Sequence, residues 1–230
     1  MIPIRDENPT TITPIVTVTL IVVNVAVFLY QLSLGREGDA FVAVFGAVPL
    51  ALFGGETFSP VPPFLTLLTA MFLHGGLMHL VGNMLYLWIF GNNIEDSMGH
   101  GRFLVFYLLC GVAAAYAHAV TAPESTIPMI GASGAISGVL GAYLLLFPRA
   151  RVLTWIPLGL LSRLEYIPAA WVLGFWIVLQ FLNGTFSYGR AGGGVAWFAH
   201  VGGFVAGLAL VYLFIRRRPR PGRPVSRSFS

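Results

Sequence analysis

Lysine is absent from the 230-residue sequence, acids number nine, and only 10% of residues are charged, against roughly 25% in an average soluble domain. That scarcity excludes an ordinary water-facing surface. With 57% hydrophobic residues and a mean hydropathy of +0.81, the chain reads as a polytopic membrane protein. The 13 basic residues are all arginine, and a net charge of +4 is too small to imply a nucleic-acid partner. A single cysteine, Cys110 in an apolar run, excludes an intrachain disulfide and is read as inert packing. The reading requires no cofactor and no metal. Residues 1–14 are polar and Pro-rich, with no positively charged region leading to a small-residue cleavage site. No cleaved signal peptide is therefore expected, and these residues are read as a short cytoplasmic segment.

What is abundant is apolar sequence in runs of about the twenty residues that a bilayer core requires. Six spans are expected: 15–34, 65–90, 103–120, 131–147, 164–182 and 197–215. Asn24, in the middle of the first, is read as a helix–helix hydrogen bond. Residues 35–63 are too interrupted by proline and glycine to cross, yet apolar around 41–53, as suits a segment lying in the interface. Residues 91–101 are read as a polar connection. Residues 148–163 carry Arg149, Arg151 and Arg163 beside Trp155 and Pro157, as befits an interfacial loop. The glycine-rich stretch 183–195 precedes the last span, and an arginine-rich tail, 216–230, follows it. Placing that tail in the cytoplasm puts 11 of the 13 arginines inside, leaving only Arg36 and Arg190 outside. Both termini are then cytoplasmic, and spans two, four and six run inward from the outer face.

This topology gathers the polar residues. Span four opens with Gly131-Ala132-Ser133-Gly134, and Gly134, Gly138 and Gly141 recur at helical spacing, a smooth seam that another helix can approach closely. Span six carries Gly203 and Gly207 with His200 on the same face, and span two carries His74, His79 and Asn83. His79, Asn83, Ser133 and His200 all fall in the outer part of spans that start at one face. A close crossing of spans four and six would bring His200 to Ser133. A histidine in reach turns a weak nucleophile into a usable one, first taking its proton and later returning it to a leaving amine. His79, Asn83 and the Ser133 backbone N–H could hold the oxyanion. Glu95, Asp96 and Glu165 lie at the inner side, so a Ser–His dyad is expected rather than a triad. The glycine-rich loop, with Gly192, Gly193 and Gly194, is placed to act as a lid.

At these residues the sequence resembles the rhomboid family of intramembrane serine proteases. The resemblance runs through residues 72–83 (FLHGGLMHLVGN), 91–96 (GNNIED), 131–134 (GASG) and 199–203 (AHVGG), four motifs in order across nearly the whole chain. It implies an all-α, six-transmembrane-helix bundle over residues 15–215, with Ser133 as nucleophile, His200 as base and His79 and Asn83 at the oxyanion. It further implies cleavage of single-span transmembrane substrates near the outer surface, with span five and the following loop gating entry. Two positions depart from the pattern. Leu65-Thr66 stand where many members have Trp-Arg, and Ser137 stands where some have a tyrosine on which the histidine packs; His200 is then oriented by something else, or less firmly. The activity expected is that of an intramembrane serine endopeptidase in a bacterial inner membrane. The alternatives are a non-catalytic rhomboid-like protein that binds or escorts membrane clients, and a small transporter, although no repeat of the spans favours the latter.

Overall fold

A computed structural model describes residues 1–157, 159–187 and 196–216. Its helices are α1 (Ile15–Ser33), α2 (Gly38–Phe45), α3 (Pro49–Leu52), α4 (Pro63–Thr69), α5 (Leu77–Met98), α6 (His100–Ala119), α7 (Ser133–Leu146), α8 (Ala169–Ser187) and α9 (Trp197–Phe214). Three strands, β1 (Ile2–Asp6), β2 (Arg151–Ile156) and β3 (Arg163–Pro168), form an antiparallel sheet in that order. By length and composition α1, α6, α8 and α9 can each cross a membrane, and the bent pair of α4 and α5 can make a fifth crossing. The protein is therefore a mostly helical membrane bundle.

At its centre stands α7, almost wholly buried from Ala135 to Tyr143 and packed by α5, α6 and α9. The glycines explain why α9 lies so close. A Cβ on Gly203 would overlap the Gly134 carbonyl oxygen, one on Gly207 the Gly138 carbonyl, and one on Gly141 the Phe204 carbonyl. Backbone thus meets backbone along three successive turns, the arrangement that small residues permit where the solvent offers no hydrophobic drive between helices. With 14 residues, α7 is about 21 Å long. Gly134 at its start packs on Ala114, five residues before the end of α6, so the start of α7 is recessed by about 8 Å from that end of the bundle.

Span two is not one helix. It breaks at Leu73–Gly76, with an 86° bend between residues 63–72 and 77–98, because an extended Leu73 and the Gly75-Gly76 pair interrupt the helical ladder. Residues 91–98, expected as a connection, continue α5, and their polar side chains tie down the N-terminal segment. Asn93 donates to the Asn8 carbonyl at 2.6 Å, and Asp96 accepts from the Thr11 N–H and hydroxyl at 3.0 and 2.7 Å. Fully buried Glu95 accepts from Val16 N, Thr17 N and the Thr17 hydroxyl at 2.8, 2.8 and 2.7 Å and contacts His100 Nδ1 at 2.5 Å. Pro14 at the N-cap makes no side-chain cap for α1, so Glu95 caps that helix from another one. Replacing Glu95 by alanine should cost about 2–3 kcal/mol, read as a lower thermal midpoint in detergent; an unchanged midpoint would exclude this role.

Two more expectations change. Residues 163–168 pair with β2 as a strand, so α8 starts at Ala169 rather than 164, and the first residues contribute β1. Among the described residues Asn24 makes no bond to another helix; its Nδ2 donates to the Leu20 carbonyl of its own helix at 2.7 Å. The segment between α1 and α4 is held where Trp-Arg is missing. Ala47 and Met129 exchange backbone hydrogen bonds at 3.1 and 2.8 Å, Leu50 N donates to Ser125 O at 3.0 Å, and the Thr69 hydroxyl donates to Phe45 O at 2.6 Å. Leu65 is exposed, and the Thr66 hydroxyl bonds within its own helix.

Candidate active site

Ser133 is the first residue of α7, and Ala132 before it offers no side-chain cap. The N–H groups of this first turn therefore have no intrahelical acceptor, and the helix dipole places partial positive charge beside the Ser133 hydroxyl. The approach to α7 depends on Gly131, whose φ of +116° lies in the left-handed region. Its N–H donates to the Ala70 carbonyl at 2.8 Å. A Cβ here would stand 2.8 Å from the His79 ring and 3.6 Å from Asn83 Nδ2, so the absent side chain is the space into which the α5 polar groups reach.

His200, in the first turn of α9, is buried, and its Nε2 lies 2.8 Å from Ser133 Oγ. The seam sets this distance: His200 is three residues before Gly203, whose backbone rests against Gly134, the neighbour of Ser133. A carbonyl oxygen beside Nδ1 can only accept, so Nε2 accepts from the Ser133 hydroxyl and the ring proton sits on Nδ1. That nitrogen faces Gln180 Oε1 of α8 at 2.7 Å. Trp176, one turn before Gln180, lies 5.8 Å from the imidazole between centroids at 37°, and Trp197 packs edge-on at 6.2 Å. Ser137, at the position where a tyrosine could have packed, instead donates to the Ser133 carbonyl at 2.6 Å.

On α5, Asn83 donates from Nδ2 to His74 Nε2 at 2.9 Å. An amide NH₂ can only donate, so His74 carries its proton on Nδ1, and the second Asn83 N–H is left for another acceptor. His74 sits fully buried in the break between α4 and α5, clamped by Gln31, whose Nε2 donates to its carbonyl at 2.9 Å. His79 Nδ1 accepts from Gly75 N at 3.4 Å, which leaves Nε2–H pointing at the Gly131 side of the site. The four residues expected from sequence are thus brought together. Gly192, Gly193 and Gly194, the expected lid, lie outside the described residues. Sequence reasoning missed Gln180, Trp176 and the coupling of His74 to Asn83. Gln180 was findable, being the one polar side chain in the apolar run 169–182. Beside Ser133 opens a cavity of about 40 Å³, lined by Gly111, Ala114 and Ala199 together with the larger Leu67, Met71 and Met129.

A family model, described as Rhomboid domain, matches residues 62–217, a stretch that holds Ser133, His200, Gln180, His74, His79 and Asn83. The chain belongs to the rhomboid family. Among its relatives, the rhomboid protease GluP of Bacillus subtilis (strain 168) is 39% identical over 118 residues, which is 51% of this chain and 21% of GluP. RHOMBOID-like protein 6, mitochondrial, of Arabidopsis thaliana is 31% identical over 159 residues, 68% of this chain and 45% of that protein. The rhomboid protease AarA of Providencia stuartii is 26% identical over 224 residues, 89% of this chain and 74% of AarA. The matched stretches make up under half of GluP and of the Arabidopsis protein. Membership together with the apolar helices makes this rhomboid an integral, multi-pass membrane protein, and relatives named as proteases stand on both sides of the comparison, by local identity and by coverage.

Proposed function

We propose that this rhomboid is an intramembrane serine endopeptidase with Ser133 as nucleophile and His200 as general base and acid. The observation that carries the reading is the 2.8 Å contact between Ser133 Oγ and His200 Nε2, made where helix N–H groups and two α5 donors converge. As Oγ bonds to a substrate carbonyl carbon, His200 Nε2 takes the hydroxyl proton and the carbonyl electrons pass to oxygen. That oxyanion is received by the Ser133 N–H, His79 Nε2–H and the free N–H of Asn83. Its collapse breaks the C–N bond, and His200 hands its proton to the departing amine. Water, losing a proton to His200, then attacks the acyl carbon; the C–Oγ bond breaks, His200 returns that proton to Ser133 Oγ, and the acid product leaves.

The recessed start of α7 supports scission below the outer rim of the bundle, reached by six spans with both termini cytoplasmic, in a bacterial inner membrane. The substrates are single-span membrane proteins whose helix unwinds near small residues, since a peptide bond must leave the helical ladder to meet Ser133. The cavity of about 40 Å³ beside Ser133 matches a small side chain of the substrate.

The test is labelling of detergent-purified protein with a serine-directed fluorophosphonate, together with cleavage of a single-span substrate. Wild type should label and cleave. A folded wild type that does neither would overturn the protease reading in favour of a client-binding rhomboid without catalysis. Asn83→Ala should lower kcat by about 10²–10³-fold, the usual loss for one oxyanion donor. It should also lower the thermal midpoint, because buried His74 Nε2 loses its partner. Unchanged turnover would remove Asn83 from the oxyanion site.

A further inference from the structure

We propose that Gln180 is the positioning residue of His200, a neutral third member that holds the imidazole in the tautomer able to accept the Ser133 proton. The proposal rests on the protease reading for its catalytic consequence, though the contact itself does not.

The geometry carries it. Gln180 Oε1 stands 2.7 Å from His200 Nδ1 while His200 Nε2 stands 2.8 Å from Ser133 Oγ. Both Gln180 and His200 are more than nine-tenths buried, at 8% and 9% exposure. In the other tautomer, Nδ1 would turn a lone pair toward the Oε1 lone pairs, and Nε2–H would point at the hydroxyl it is meant to deprotonate. The amide carbonyl therefore selects the reactive form, as an acceptor at Nδ1 does in a serine–histidine–acid triad. A carboxylate there would have to be desolvated inside the bundle, whereas an amide performs the same acceptance without burying a net charge.

Two further observations point the same way. Gln180 is the only polar side chain between Ala169 and Leu182, and a polar group in a membrane helix is costly unless bonded. Trp176 lies one turn before it on α8 and tilts against the same imidazole, so one face of α8 supplies both the ring contact and the acceptor. These two side chains occupy the role left open by Ser137, which is turned to its own helix backbone.

The experiment uses the full chain in detergent, with histidine labelled in ¹⁵N. Wild type should show a slowly exchanging, downfield imidazole N–H, assigned to His200 Nδ1 by its loss in His200→Ala. Gln180→Met, which keeps the length and removes the acceptor, should lose or shift that resonance and lower kcat by about 10- to 100-fold, with KM changed less than about twofold. Gln180→Glu, which keeps an acceptor, should restore the resonance and most of kcat. A His200 Nδ1–H resonance unaltered in Gln180→Met, or wild-type kcat in that variant, overturns the proposal. Where Gln180→Met does not fold, Gln180→Asn, one methylene too short to reach, takes its place with the same expected losses. An inactive wild type would sink the protease reading alone, because the resonance reports the Gln180 bond without turnover.

Discussion

Substitution of Ser133 by alanine is expected to abolish both fluorophosphonate labelling and cleavage, and His200→Ala to reduce cleavage by at least about 10³-fold, with the protein still inserted and folded. The direction follows from the chemistry of the pair. Without His200 the Ser133 hydroxyl has no proton acceptor at Nε2, and without Ser133 no acyl intermediate can form. Because the two act as one unit, their effects should not add. The Ser133→Ala/His200→Ala double variant should be no slower than the worse single one, the remaining rate coming from binding and the oxyanion donors. Folding should survive because the seam does not use either side chain: Gly203 meets the Gly134 backbone and Gly207 the Gly138 backbone. Wild-type cleavage by Ser133→Ala would show that another group is the nucleophile. A full sum of the two losses in the double variant would show that Ser133 and His200 do not work together. Measured beside wild type at a fixed substrate concentration, the three variants separate these cases.

The pair was legible in the sequence because its placement is written in a periodic feature. Glycines four apart on two spans specify a crossing, and a histidine three residues before one of them inherits the geometry of that crossing. His79 and Asn83 were legible for a similar reason, being one turn apart in a span where polar groups are costly. The partners of these residues were not. Gln180 lies 20 positions from His200, and His74 sits within a helix break, nine positions before Asn83; no helical spacing records either meeting. The break itself is invisible to hydropathy, since Gly75-Gly76 do not lower the apolar character of residues 65–90 enough to divide it. The sheet was hidden by separation and ambiguity. β1 pairs with a strand nearly 150 residues away, a six-residue run such as 151–156 reads equally as interfacial loop or strand, and residues 164–168 adjoin an apolar run and are counted into the fifth span. The polar run 91–98 misled in the opposite way. Asn93, Glu95 and Asp96 are polar because they hold the N-terminal segment and cap α1, not because the chain turns there.

A single methyl group at Gly207 should be enough to undo both fold and site. In α9 the Gly207 Cα rests on the Gly138 backbone so closely that an alanine Cβ would overlap the Gly138 carbonyl oxygen. Neither partner can yield by changing a rotamer, because both are helical backbone, so α9 must move away from α7 as a unit. Gly203 and Gly141 would lose their contacts in the same displacement, and His200, about 10 Å up the helix from Gly207, would leave hydrogen-bond reach of Ser133. Gly207→Ala should therefore lower the thermal midpoint substantially, with an expected loss of about 2 kcal/mol or more, and should cut fluorophosphonate labelling more than about tenfold. The control is Gly82→Ala on α5, where an added Cβ would have nothing within 4 Å. In that position alanine should be neutral or mildly stabilising, through its better helix propensity. If Gly207→Ala kept the wild-type midpoint while Gly82→Ala lowered it, the glycine seam would not be what holds α9 on α7. If Gly207→Ala lost stability yet labelled normally, the Ser133–His200 contact would be set by the groups around His200, Gln180 and Trp176 foremost, rather than by the crossing.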